Sequence, residues 1–375
     1  MAAVNVVSNM KALRLYAGPA ARKHLEQHGL QPAHVGTVPG AAGGPKGLIL
    51  GALDRFLFGQ WLAASSHEVH LVGASIGAWR MATACLNDPA AAFSRLEQDY
   101  INQHYELKPG QKRPSPKFVS DQFGANLQAF YGGRLQEVLQ HPRYRLHIVT
   151  ARGRHILRRE HGLGTPLGYL GAFMSNTVHR RAMGAWLERV VFSSPLGSNA
   201  CAAMPFASND YPTRQVALSE ANFNAALQAS CSIPFVLQAV HNIAGAPHGA
   251  YWDGGITDYH LHLNYEGKPV STHAGLVLYP HFQKAVVPGW LDKSLKWRHK
   301  ATHFLDHMLL LAPDPQWVKT LPNGKLPDRK DFAHYGPDFA GRAKAWNDAV
   351  RASSQLADEF QQWLARPDLG QVMPL

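Results

Sequence analysis

The chain has 375 residues, 46% of them hydrophobic and 17% charged, a globular composition that excludes a disordered or fibrous protein. Its 37 basic residues against 26 acidic ones leave a formal charge of +11. Three cysteines, Cys85, Cys201 and Cys231, lie far apart without CxxC spacing, which excludes a disulfide framework and a cysteine-built zinc site and points to a reducing compartment.

Part of the positive charge is local: between Arg143 and Arg189 nine arginines stand against two glutamates. Such a face can simply be solvated, or it can attract the headgroups of an anionic membrane surface. No recognition motif for nucleic acid accompanies it. Residues 1–18 lack a continuous apolar core of signal-peptide length, and no apolar run reaches the roughly 18 residues of a membrane span. A soluble, cytoplasmic protein with peripheral membrane contact is therefore expected, and its oligomeric state leaves no mark on the sequence.

Short apolar runs alternating with helical spacing over the first 100 residues predict an α/β fold with a mainly parallel sheet. Ala12–Tyr16 and Val35–Val38 read as strands, Gly44–Phe58 as a buried helix and Glu68–Val72 as a strand. Helices follow over Ile76–Leu86, stopped by Asn87-Asp88-Pro89, and over Ala90–His104. Lys108–Pro116, rich in Pro and Lys, reads as a surface loop. Tyr144–Thr150 and Val190–Phe192 read as further strands, and the five glycines between Arg152 and Ser175 suggest a mobile cover. Glu220–Ala229 reads as a helix, with strands at Ala250–Trp252 and Gly275–Leu278. Beyond residue 295 the chain reads as mostly helical, ending with Phe339–Leu364.

The sharpest local pattern is Gly73-Ala74-Ser75-Ile76-Gly77, between a predicted strand and a predicted helix. A serine there sits on a tight turn that needs small neighbours, with Oγ lifted out of the sheet above a helix N-terminus. Gly40-Ala41-Ala42-Gly43-Gly44-Pro45-Lys46-Gly47 is a second strand-to-helix connection. Its N–H groups can face a phosphate or the oxyanion of acyl transfer, or the glycines can serve packing alone. A Walker loop is excluded, because Lys46 is followed by Gly47 rather than Ser or Thr. Asp253-Gly254-Gly255, after an apolar strand, is either a plain turn or a carboxylate held bare against another loop.

The order of these three patterns resembles the patatin-like phospholipase family. Ala42-Gly43-Gly44-Pro45-Lys46-Gly47 is similar to that family's Gly-Gly-Gly-x-Arg-Gly loop, with Ala42 for its first glycine and Lys46 for its arginine. Ala229-Ser230-Cys231-Ser232-Ile233-Pro234-Phe235 is similar to its Ala-Ser-x-Ala-x-Pro segment. The resemblance covers about residues 12 to 262. Thr257-Asp258-Tyr259-His260-Leu261 departs from the family's Asn-x-Pro element, in a region that usually helps shape the substrate cleft.

The resemblance implies a three-layer α/β/α sandwich and hydrolysis of lipid or phospholipid acyl esters without a cofactor. Residues 1–280 would form the catalytic domain, and residues 281–375 a mostly helical extension packed on it. Ser75 is the implied nucleophile and Asp253 its base, acting as a dyad through an acyl-enzyme. Gly43, Gly44 and Ile76 are the implied oxyanion donors, and Lys46 either buttresses the loop or meets a substrate phosphate. Gly47, Gly73, Gly77, Gly254 and Gly255 complete the motifs.

Two rivals have their own sequence support. An α/β-hydrolase triad would recruit a downstream histidine such as His260, His262 or His273, and a non-catalytic lipid-binding protein of the same fold would need neither Ser75 nor Asp253. His299, His303 and His307 recur at helical spacing, but no HExxH accompanies them, so they read as a helix surface rather than a metal site.

Overall fold

The computed structural model describes residues 10–105, 114–197, 200–265 and 275–375. Most of the loop read at Lys108–Pro116 lies outside the described residues, as does His273.

Thirteen strands are described: β1 (Leu13–Ala17), β2 (Val35–Gly40), β3 (Val69–Ala74), β4 (Tyr144–Gly153), β5 (Leu187–Ser193), β6 (Pro195–Leu196), β7 (Ala200–Cys201), β8 (Thr213–Ala217), β9 (Val240–His241), β10 (Ala250–Asp253), β11 (Leu276–Pro280), β12 (Met308–Pro313) and β13 (Val372–Pro374). Apart from the β6–β7 pair they form one sheet in the order β13-β1-β12-β11-β2-β3-β4-β10-β9, with β5 on the other edge of β4 and β8 beside β5. The run β12-β11-β2-β3-β4 is parallel throughout. Residues of β2, β3, β5, β10, β11 and β12 are all buried, as expected where a sheet is covered on both faces. Helices flank this sheet, giving the expected three-layer α/β/α sandwich.

Three local readings differ from the structure. The segment read as one helix over Gly44–Phe58 is a 3-10 helix at Gly44–Leu50, an α-helix at Gly51–Phe56 and a π-helical turn at Leu57–Trp61. The stretch read as a glycine-rich cover contains a helix, Gly164–Val178. Its glycines are contact points: a Cβ on Gly168 would come 2.5 Å from the Leu157 side chain, and one on Gly171 2.6 Å from Trp186. Tyr169 and Ala172 on its inner face join Trp252 of β10 in a separate apolar cluster.

The C-terminal segment is the third. Instead of helices only, residues beyond 295 supply β12, paired with β1 and β11, and β13, paired with β1. Met308-Leu309-Leu310-Leu311-Ala312-Pro313 is a wholly buried run, too short and unbroken to separate strand from helix by period. The sheet thus runs across the boundary expected at residue 280. His299, His303 and His307 share no helix, because the segment makes two separate 3-10 turns, Lys296–Arg298 and His303–Leu305, before β12 begins.

Candidate active site

The site is assembled on one edge of β4. In its first half that edge pairs in parallel with β3, ending at Ala74 opposite Val149. In its second half it pairs antiparallel with β10, ending at Asp253 opposite Thr150. Two strands thus run head-on along one partner, and their carboxyl ends meet at adjacent β4 residues. Ser75 and Asp253 leave those ends together, and Ser75 Oγ donates to Asp253 Oδ2 at 2.7 Å. The other carboxylate oxygen, Oδ1, accepts the Gly255 N–H at 2.7 Å.

Ser75 adopts φ 57° and ψ −131°, outside the regions an L-residue prefers, and the helix Ile76–Ala84 starts directly after it. The flanking glycines make this turn possible by close approach. A Cβ on Gly77 would sit 1.8 Å from the Gly40 carbonyl oxygen, and one on Gly73 2.3 Å from the Ala78 Cα. Gly254 is equally constrained, its Cβ position lying 2.0 Å from the Val149 oxygen.

β2 lies beside β3 in parallel, so its loop opens at the same end of the sheet. The loop is tied to the segment after Asp253 by the Ala42 N–H, which donates to the Tyr259 carbonyl at 2.9 Å. Gly43 lines the cleft beside Ser75. Ile76 is the first residue of its helix, so its N–H has no intrahelical acceptor. Gly44, at φ 57°, begins the 3-10 helix and lies under Arg329, whose Nε would be 3.1 Å from an added Cβ. Gly47 faces Ile76 and Arg80 on the elbow helix.

The cleft has a volume of about 200 Å³. Ser75, Asp253 and Gly43 share it with four cations, Lys46, Lys293, Arg329 and Lys330, and one further acid, Asp328. Burial pushes the Asp253 carboxyl above its ordinary range, against the opposing pull of Arg329 and of the hydrogen bonds from Ser75 and Gly255. Lys293 is pulled down to about 8, first by desolvation and then by the neighbouring charges of Lys46 and Arg329. Lys46 is lowered too, chiefly by desolvation. A buried hydroxyl–carboxylate pair under a concentration of positive charge suits proton transfer next to an anionic group.

Of the candidate histidines, the two described, His260 and His262, take no part in this contact. His260 Nδ1 lies 3.1 Å from both the Ala285 carbonyl oxygen and the Val287 nitrogen. His262 is engaged at both ring nitrogens, by the Val286 carbonyl at 3.0 Å and by Thr302 Oγ1 at 2.9 Å. Neither residue lines the cleft. Among the described residues no three His, Cys, Asp or Glu side chains are grouped to hold a metal ion.

Two features escape a reading of the sequence. Lys293 and Arg329 come from the segment beyond the recognisable motifs, and only the folded chain brings them to Ser75. Asp258, in the stretch that departs from the family pattern, is fully buried and takes two hydrogen bonds from buried Arg189, at 2.8 and 2.6 Å, with Arg180 at 3.2 Å. That network anchors the chain five residues after Asp253.

No curated protein matches the chain. The family model for patatin-like phospholipases matches residues 41–260, more than half of the chain and the whole span from the glycine loop to the residues after Asp253. The chain belongs to the patatin-like phospholipase family, a family of lipid acyl hydrolases.

Proposed function

We propose that the protein hydrolyses acyl esters of anionic lipids with Ser75 as nucleophile and Asp253 as general base. The observation that carries this reading is the 2.7 Å hydrogen bond from Ser75 Oγ, on its strained turn, to a buried carboxylate.

As Oγ bonds to the ester carbonyl carbon, its proton passes to Asp253 Oδ2. The resulting oxyanion is met by the N–H groups of Gly43, Gly44 and Ile76, and losing one such donor costs about 2.7–4 kcal/mol in barrier. Collapse breaks the ester C–O bond, and the leaving alkoxide takes the proton from Asp253. Water then attacks the acyl-enzyme with Asp253 again accepting the proton. Collapse breaks the bond between the acyl carbon and Ser75 Oγ, Oγ takes that proton back from Asp253, and the fatty acid leaves. Gly255 holds Oδ1 so that Oδ2 stays aimed at Ser75.

Lys46, Lys293 and Arg329 line the same cleft and favour an ester whose alcohol part carries negative charge, as a phospholipid headgroup does. The engagement of His260 and His262 elsewhere supports a dyad over a triad. A panel of p-nitrophenyl esters and phospholipids, assayed with wild type, Ser75→Ala and Asp253→Asn, tests the assignment. Turnover in wild type is lost in both variants; full turnover in either variant refutes it.

A further inference from the structure

The helix Gly164–Val178 carries a continuous apolar stripe on its outer face. Leu163, Leu167, Leu170, Met174 and Val178 are 84, 60, 56, 58 and 84% exposed, and their spacing of three and four residues places them in one row. The inner face of the same helix is already satisfied by Tyr169, Ala172 and Asn176, so the stripe has no partner within the described chain. Five large apolar side chains in a row are more than scattered surface hydrophobics.

The stripe adjoins the mouth of the cleft. Tyr169 contacts the ring of Phe235, which is itself 59% exposed and, like Ser75, has positive φ. Ile233 and Pro234, immediately before it, line the cleft. At the other end of the helix Asn176 donates to Asp292 at 2.8 Å, holding the segment that contributes Trp290 and Lys293 to the cleft wall. The exposed charges flanking the stripe in the chain are basic: Arg158 and Arg159 before it and Arg181 after it. From His155 to Arg181 the only acid is Glu160, whose carboxylate accepts the Ala239 N–H.

We infer that this face docks the protein onto an anionic lipid surface, with the helix lying in the plane of the headgroups and the Ser75 cleft opening toward the membrane. Fifteen residues make a helix roughly 22 Å long, short of the ~30 Å hydrocarbon core, so it lies on the bilayer rather than crossing it. A basic fringe around an apolar row is the pattern of an interfacial helix; an apolar interface between copies of the chain needs no such charge. Each leucine entering the acyl boundary strengthens partitioning about tenfold or more. Each arginine near an anionic surface adds about fivefold.

The test is sedimentation of the full-length protein with vesicles of phosphatidylcholine, with and without phosphatidylglycerol. Wild type binds the anionic vesicles. The triple variant Leu167→Ser, Leu170→Ser, Met174→Ser binds them at least about 100-fold more weakly. The variant Arg158→Ala, Arg159→Ala, Arg181→Ala loses only the preference for phosphatidylglycerol. Hydrolysis of a water-soluble short ester is unchanged in both variants, which separates docking from the assignment of Ser75, since vesicle binding is read without turnover. Undiminished vesicle binding by the triple variant overturns the proposal. So does a wild type that ignores vesicles and forms a dimer which the triple variant dissociates. Should the triple variant fail to fold, the arginine variant decides alone: binding that stays as strong, and as selective for phosphatidylglycerol, as that of wild type overturns the proposal.

Discussion

The backbone N–H of Ser75 donates to the hydroxyl of Ser230 at 3.0 Å. The same hydroxyl donates onward to the Val149 carbonyl of β4 at 2.6 Å. Ser230 is fully buried, and the carbonyl it reaches belongs to the β4 residue where β3 ends, next to the one where β10 ends. The turn carrying Ser75 is therefore held to the sheet through one side chain.

Ser230→Ala removes the hydrogen bonds to the buried Ser75 N–H and to the Val149 carbonyl, at a cost of about 1–3 kcal/mol in stability. Because the displaced group is the backbone of the proposed nucleophile, kcat falls by about tenfold or more while KM changes little. Chemical denaturation and steady-state kinetics on a soluble ester check the two effects separately; a stability loss without a change in kcat would assign Ser230 to the fold alone.

Burial raises the Asp253 pKa, so the native state holds this proton more tightly than the unfolded chain does. The stability that protonated Asp253 contributes is complete below the ordinary carboxyl range and is lost as pH rises through the raised native value. At neutral pH the buried charge is a net burden on the fold. Asp253→Asn is accordingly more stable than wild type near pH 7 and inactive on the proposed mechanism, and the gap in stability narrows as pH falls. Urea denaturation across a pH series reads this; equal stability at all pH values would contradict it.

Lys293, lowered to about 8, is a cation below that pH and neutral above it. The KM for an ester with an anionic alcohol part rises as pH passes about 8, whereas the KM for a neutral ester does not. Arg329→Ala raises the KM of the anionic ester about tenfold or more at pH 7 and leaves the neutral one nearly unchanged. Paired substrates of equal acyl length provide the comparison, and an equal effect on both would remove these cations from headgroup recognition.

Asp258 experiences desolvation that would raise its pKa, but the Arg189 and Arg180 charges outweigh it and hold the carboxyl below its ordinary range. Asp258→Ala leaves Arg189 buried without its main partner and destabilises the fold by about 3–5 kcal/mol. Thermal unfolding measures this. A loss below about 1 kcal/mol would mean that Asp210, already within 3.3 Å of Arg189, takes over.

What was legible in the sequence was local. The elbow at Ser75 announces itself because two glycines flank one serine between a strand and a helix: Gly73 makes room for Ala78 within that unit, whereas the partner of Gly77 is the Gly40 carbonyl of β2. The alternation of strands and helices likewise predicts a mainly parallel sheet. The readings that failed depend on distant partners. Met308–Pro313 is a strand because β1 and β11 accept it on both sides, and no periodicity within six apolar residues can say so. Gly164–Val178 is a helix despite its glycines because Leu157 and Trp186 need the room those glycines leave. Lys293 and Arg329 reach the cleft only through the path of the C-terminal segment, and the bond from Ser230 to β4 exists only where two strands end head-on.

The central claim is that Ser75 is activated by Asp253 without help from a histidine. The most direct measurement is the intact mass of the protein after treatment with a fluorophosphonate. One adduct is predicted, mapping to Ser75 in wild type and in His260→Ala, absent in Ser75→Ala and strongly slowed in Asp253→Asn. An adduct that persists in Ser75→Ala, or one abolished by His260→Ala in a folded protein, would contradict the account.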